Sequence, residues 1–269
     1  MNKLIYVISV FILLITGFTA CEVEDGGYET RPTLQGLIAF QTTQTCIYDG
    51  VAILDLMSRI DYYAQASDDE KEGIKNYYLK EYEISKTDQT WILKSIGSEV
   101  IFTHNRKSIN EIGAVWTVHI TYNEGQYKQT VIDDNNFRLE SSGDKKWSIK
   151  ITDMLCNYMY NPNKDETHSG EFIFTGSIAS NKSPFLYDFK IESGTGKIKS
   201  SPILDYEVKE ALSYFYISDY YAAPTLTKGV LVIKADNKDD IIANISIPGS
   251  FPSYQITFNG ITEDWGYYH

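Results

Sequence analysis

The groups in this 269-residue chain that can do chemistry are four histidines, three cysteines and 36 acidic side chains. His104, His119, His168 and His269 show no His-x-x-x-His spacing, and Cys-x-x-Cys is absent. No metal site is therefore expected, because a zinc site needs three or four arranged N, S or O ligands. Gly-x-Ser-x-Gly does not occur, so the strained nucleophile elbow is not indicated. Ser193-Gly194-Thr195-Gly196-Lys197 looks like a phosphate loop at first sight. Ile191 stands where that motif has its first glycine and Ile198 where it has Ser or Thr, so the stretch reads as a hairpin turn. Asp236-Asn237-Lys238-Asp239-Asp240 has Lys at the third position, without the later Gly and bidentate Glu of a calcium loop. It reads as a solvated turn. A carboxylate pair for glycoside hydrolysis is defined by its separation, which only the fold fixes. The expectation is no catalytic residue, no cofactor and no enzyme.

Aromatic residues are the other candidates. Flat rings with a polar rim suit glycan or protein contact surfaces, and the chain holds 21 Tyr, 12 Phe and 4 Trp. Tyr214 and Tyr216 alternate along a strand and read as packing. Tyr220-Tyr221 lies beside Ala222-Ala223-Pro224, and Trp265 follows Glu263-Asp264. These three are the candidate exposed binding aromatics.

The elements that must position such residues follow from periodicity. Thr30 to Thr45 reads as an entry segment. From Asp49, as N-cap, Val51, Ile53, Leu54, Met57, Ile60 and Ala64 fall at helical spacing, with Asp55, Arg59 and Asp61 facing elsewhere. Ser67-Asp68-Asp69-Glu70 is a capping-box pattern that opens a short second helix ending near Leu79 or Lys80. After Tyr82 everything reads as strand and turn, with turn signals every 8–12 residues or so. No crossover helix separates the strands, so a parallel βαβ architecture is excluded. The expected fold is mainly β, an antiparallel meander (sandwich or barrel-like) with two short N-terminal α-helices. The 157–169 stretch reads as a hinge, an insertion or one long hairpin loop.

The first residues give an address. Lys3 is the only charged side chain before position 22, and Leu4 to Phe18 is an apolar run with small residues following. That is the pattern of a secretory signal, shorter than the about 20 apolar residues of a membrane span. Phe18-Thr19-Ala20-Cys21 resembles the lipobox of bacterial lipoproteins, with Phe18 where Leu is usual. The resemblance implies cleavage before Cys21 and acylation of its sulfur and new amino group. Two or three acyl chains make a stable anchor where one is marginal. Glu22, Glu24, Asp25 and Glu29 around Gly26-Gly27 resemble the surface-export signal of lipoproteins from Bacteroidota-type bacteria. Localisation is thus expected at the outer membrane, lipid-anchored, on the cell surface or else on the periplasmic face. The expected organisation is signal peptide 1–20, lipidated tether and entry segment 21–45, and a single domain over 46–269. The order of helices and meander also resembles uncharacterised surface lipoproteins of those bacteria, a likeness that implies no catalytic residues.

Without residues 1–20 the chain has 23 basic against 36 acidic side chains, a net charge of −13. Such a balance argues against nucleic acid and against anionic lipid heads. Cys46 and Cys156 remain as an even pair in an oxidising compartment. They form either one long-range disulfide or two buried thiols. The function expected is a non-catalytic surface lipoprotein binding a glycan or protein partner through exposed aromatics. The alternatives are a structural or assembly lipoprotein of the envelope or a surface appendage, a barrel holding a small ligand, and a glycan-active enzyme.

Overall fold

The computed structural model describes residues 31–124, 127–155, 166–179, 187–216, 224–235, 238–246 and 253–266. Two helices lead, α1 (Leu34–Gln65) and α2 (Asp68–Tyr78). Strands follow in the order β1 (Glu83–Thr87), β2 (Thr90–Ser95), β3 (Ser98–His104), β4 (Val115–Glu124), β5 (Tyr127–Ile132), β6 (Phe137–Gly143) and β7 (Lys146–Leu155). The second half adds β8 (Thr167–Ile178), β9 (Tyr187–Lys199), β10 (Leu204–Phe215), β11 (Thr225–Ala235), β12 (Ile241–Ser246), β13 (Ser253–Phe258) and β14 (Ile261–Gly266). Helices first and then an antiparallel meander is the order the sequence indicates.

α1 is longer than its pattern suggests. It runs for 32 residues, so Asp49 lies in its middle and residues 34–45 of the expected entry segment belong to its first half. Leu37, Phe40, Thr43, Cys46, Ile47 and Gly50 carry the buried stripe backwards from Val51. Threonines at 42, 43 and 45 are weak helix formers, and packing overrides that local preference. A Cβ at Gly36 would meet Ile256 at 3.0 Å, and one at Gly50 would meet Ile151 at 3.2 Å. The helix backbone therefore rests directly on β13 and on β7. α2 starts as its pattern indicates: the Glu70 carboxylate accepts from the Ser67 amide (2.9 Å) and hydroxyl (2.7 Å).

The strands form one sheet in the order β1-β2-β3-β4-β6-β7-β8-β9-β10-β11-β12-β13-β14, with β5 paired to β4. β5 and β6 act as one strand beside β4, interrupted at residues 133–136. The sheet is not closed into a barrel: among the described residues β1 and β14 do not pair. It curls around α1 instead. Tyr63 packs on Trp91 of β2 (6.2 Å), Tyr48 on Tyr214 of β10 (6.5 Å) and Phe40 on Tyr254 of β13 (5.0 Å). Strands from both ends of the sheet thus reach one helix. Along β6, Phe137, Leu139 and Ser141 turn inward while Arg138, Glu140 and Ser142 turn out. Trp147, Ile149 and Ile151 repeat the alternation on β7. Each large apolar side chain buried this way contributes roughly 1.5–3 kcal/mol.

One stretch differs from its sequence reading. Ser193 to Lys197 is not a turn but the middle of the thirteen-residue β9. A Cβ at Gly194 would lie 2.3 Å from the Phe172 ring, and one at Gly196 would lie 2.3 Å from the Tyr206 hydroxyl. The glycines make room for rings from neighbouring strands. Leu204 to Ser213 forms most of β10, with Leu204, Tyr206 and Val208 inward.

Candidate functional site

The polar side chains of α1 are where the structure concentrates its charge chemistry. Asp55 and Arg59, one turn apart, do not face solvent as their periodicity suggests. Both are buried, with Arg59 Nη2 at 2.7 Å from Asp55 Oδ2. Tyr216, just past β10, closes the group: Arg59 Nη2 donates to its hydroxyl (2.8 Å), which donates to Asp55 Oδ1 (2.6 Å). Burial pushes the Asp55 carboxyl above its ordinary range, while the Arg59 guanidinium and the Tyr216 hydroxyl pull it back. Burial and the Asp55 charge raise the Tyr216 phenol as well. Burying charge is costly unless it is paired, and the closed arrangement supplies that pairing. It binds helix to strand.

Asp61 lies about half a turn beyond Arg59, 2% exposed. Its Oδ2 accepts from Ser108 Oγ (2.9 Å) and Asn110 Nδ2 (3.2 Å), and its Oδ1 from the Ile109 amide (3.3 Å). All three donors sit in the 105–114 loop between β3 and β4. Burial raises the Asp61 carboxyl to about 6, against the lowering effect of its donors. The indole of Trp147 secures the same loop, donating to Ile109 O at 2.9 Å.

The histidines separate into two buried and one near the surface. His168 lies inside β8 rather than in a loop, its Nε2 against the Tyr206 hydroxyl. Burial lowers it to about 4, so it is neutral. His104 stacks on Trp116 (4.8 Å), and burial lowers it too, with Lys86 adding to the effect. His119 is brought to the strand break, where its Nδ1 stands 3.9 Å from Asp133 Oδ1. One donor atom from each of His119, Asp133 and Asp134 falls within 4.8 Å of the others, a set that can face a cation. No sequence spacing signals it, because the residues join only through the β4–β5 hairpin and its interruption.

Trp265 is not a surface aromatic. It is 7% exposed, donates from Nε1 to Thr33 Oγ1 (2.8 Å) and is covered by the Arg31 guanidinium 3.8 Å from its ring centre. The alternation of β14 turns Glu263 and Trp265 inward, onto the start of α1. Tyr214 and Tyr216 are buried, as their alternation indicates. Tyr220 and Tyr221 lie outside the described residues, as do Cys21 and Cys156. Cys46 is buried within α1 at 1% exposure.

The outer face carries one shallow groove across β7, β8, β9 and β10. Its floor is the backbone of Ile151, Gly170, Gly196 and Tyr206, which pair side by side. Its walls carry Lys150 paired with Glu171 (2.9 Å) and Lys197 paired with Asp205 (3.4 Å). Both ion pairs are exposed, so each contributes little to stability. Comparison with protein-family models, with curated proteins and with solved structures finds no match to this chain.

Proposed function

We propose that the chain is a non-catalytic, lipid-anchored outer-membrane lipoprotein that holds a protein partner through its open sheet. The observation that carries this reading is the open sheet itself. Among the described residues β1 and β14 each pair on one side only. β1 is a polar edge: Glu83, Ser85, Lys86 and Thr87 are exposed. An unpaired edge is a template for a strand from another chain, with lysine limiting indiscriminate pairing. The anchor at Cys21 rests on the lipobox resemblance. The buried carboxylates Asp55 and Asp61 are engaged in holding α1, which supports a structural role for them. The open edge and the burial of Trp265 support assembly in the envelope, or in a surface appendage, over aromatic-led recognition. A glycan reading keeps one specific support, the polar groove over β7–β10.

The test is made on intact cells carrying the native protein or a Cys21→Ala variant, with a photo-crosslinker at Ser85. Native protein in the membrane fraction, shaved by added protease, with the variant released, supports a surface lipoprotein. A discrete adduct from Ser85, absent from a crosslinker at Ser148 on the central strand β7, supports the edge. Equal labelling from both positions sinks the partner reading. Protease resistance until the outer membrane is broken assigns the periplasmic face instead.

A further inference from the structure

Asp61 is a buried carboxylate without an ion pair among the described residues. Its neighbours are hydrogen-bond donors from one loop: Ser108 Oγ, the Ile109 amide and Asn110 Nδ2. From its own helix, Gln65 donates to its backbone carbonyl at 3.2 Å. Glu111, on the same loop, is a like charge that disfavours the ionised form. From β9 the Tyr187 phenol faces the cluster and engages Asn110. Asn110 Oδ1 is buried and has no hydrogen-bond partner. The loop it belongs to buries Ile109 completely and leaves Ile112 at its tip 79% exposed.

We propose that Asp61 is a proton-controlled latch for the 105–114 loop, which its protonated form holds shut and its ionised form favours opening. The ionised carboxylate is satisfied by three donors but carries a buried charge that no cation offsets. Opening the loop returns that charge to water. A proton on the carboxyl removes the charge and adds a donor, and Asn110 Oδ1 is the unused acceptor beside it. A position near the end of α1 and a donor set drawn from a single loop make the change local. Ile109 and the exposed Ile112 are the apolar residues that opening would present. The raised carboxyl of Asp61, at about 6, places the change in mildly acidic conditions.

Hydrogen exchange of the Ser108, Ile109 and Asn110 amides in the full chain tests this directly. After correction for intrinsic exchange, opening is expected to rise about 25-fold from roughly pH 4.5 to pH 7.5, since the slope of about tenfold per pH unit runs only up to the shifted value. Asp61→Asn should flatten that rise, while the Ile96-Gly97 turn should show none in either protein. Ser108→Ala, which keeps the carboxylate, should retain the rise from a higher starting level. Opening that is independent of pH in the native protein overturns the latch. An unchanged slope in Asp61→Asn overturns it too. If Asp61→Asn fails to fold, the native and Ser108→Ala profiles decide.

Discussion

The Glu263 carboxylate on the last strand accepts the backbone amide of Thr33, 230 residues earlier, at 3.1 Å. It also accepts the Thr33 hydroxyl, while Arg31 approaches its other oxygen at 3.4 Å. Thr33 makes no side-chain cap of its own, so the first turn of α1 takes its acceptor from β14. A negative charge there also suits the positive end of the helix dipole.

Glu263→Gln should therefore destabilise the fold at neutral pH. The Thr33 hydroxyl is the largest influence holding the Glu263 carboxyl below its ordinary value of 4.5, with the Thr33 amide and Arg31 adding to it. A lowered carboxylate contributes fully above that value and loses its contribution as pH falls through the folded one. Thermal melts of native protein and variant should differ at pH 7 and converge as pH falls below 4.5 and through the lowered value of Glu263. A constant difference would show that Glu263 acts by packing alone.

Tyr216→Phe removes one hydroxyl from the Asp55–Arg59 group and should cost about 1–3 kcal/mol in urea unfolding. Arg59→Met alone strands the Asp55 charge and should cost about 3–5 kcal/mol. Combined with Asp55→Leu, the loss should shrink markedly. Additive losses would mean that the two residues do not act as a pair.

Gly196→Ala places a methyl group against the Tyr206 hydroxyl, where a Cβ would stand at 2.3 Å. A cost of about 1–3 kcal/mol is expected from overpacking. Tyr206→Ala in the same chain should make the added methyl nearly neutral. A turn at this position would instead tolerate alanine in the presence of Tyr206.

His168 and Asp61 titrate with opposite effects. His168 is lowered from 6.5 to about 4, so folding excludes its proton and weakens as pH falls across that window. Asp61 is raised from 3.8 to about 6, so folding favours its proton and strengthens as pH falls across nearly the same window. Each gap corresponds to roughly 3 kcal/mol, so the two largely cancel. The His168→Gln variant should gain stability on going from pH 6.5 to 4, relative to native protein, and Asp61→Asn should lose it. Urea midpoints across that range measure both slopes, and parallel profiles for the two variants would refute the assignment.

The fold was legible wherever a side chain's neighbours are close in sequence. Phe137-Arg138-Leu139 and Trp147-Ser148-Ile149 alternate because each strand has one wet face, and the Ser67–Glu70 box is complete within four residues. Legibility failed where the partner is remote. The first half of α1 is polar enough to resemble a loop until β13 is laid against Gly36. Asp55, Arg59 and Asp61 look like a solvated face because local pattern equates charge with water, and their partners Tyr216 and Ser108 lie on other elements. Gly194 and Gly196 look like a turn until the rings of Phe172 and Tyr206 are seen over them. Trp265 looks exposed beside two acids, yet those acids alternate across a strand and the ring shares the inner face with Glu263.

The joining of Arg31 to β14 has a mechanical consequence. Arg31 Nη2 holds the carbonyl of Asp264 at 2.9 Å, which ties the start of the described chain to an edge strand. A load drawn along the chain ahead of Arg31 arrives first at β14, which is zipped to β13 on one side only. That strand can peel one rung at a time instead of resisting in shear. Once it has peeled, the helix start loses both the Glu263 carboxylate and the Trp265 ring. Traction on the leading segment would then draw α1 out of its curled sheet like a cord from a sheath.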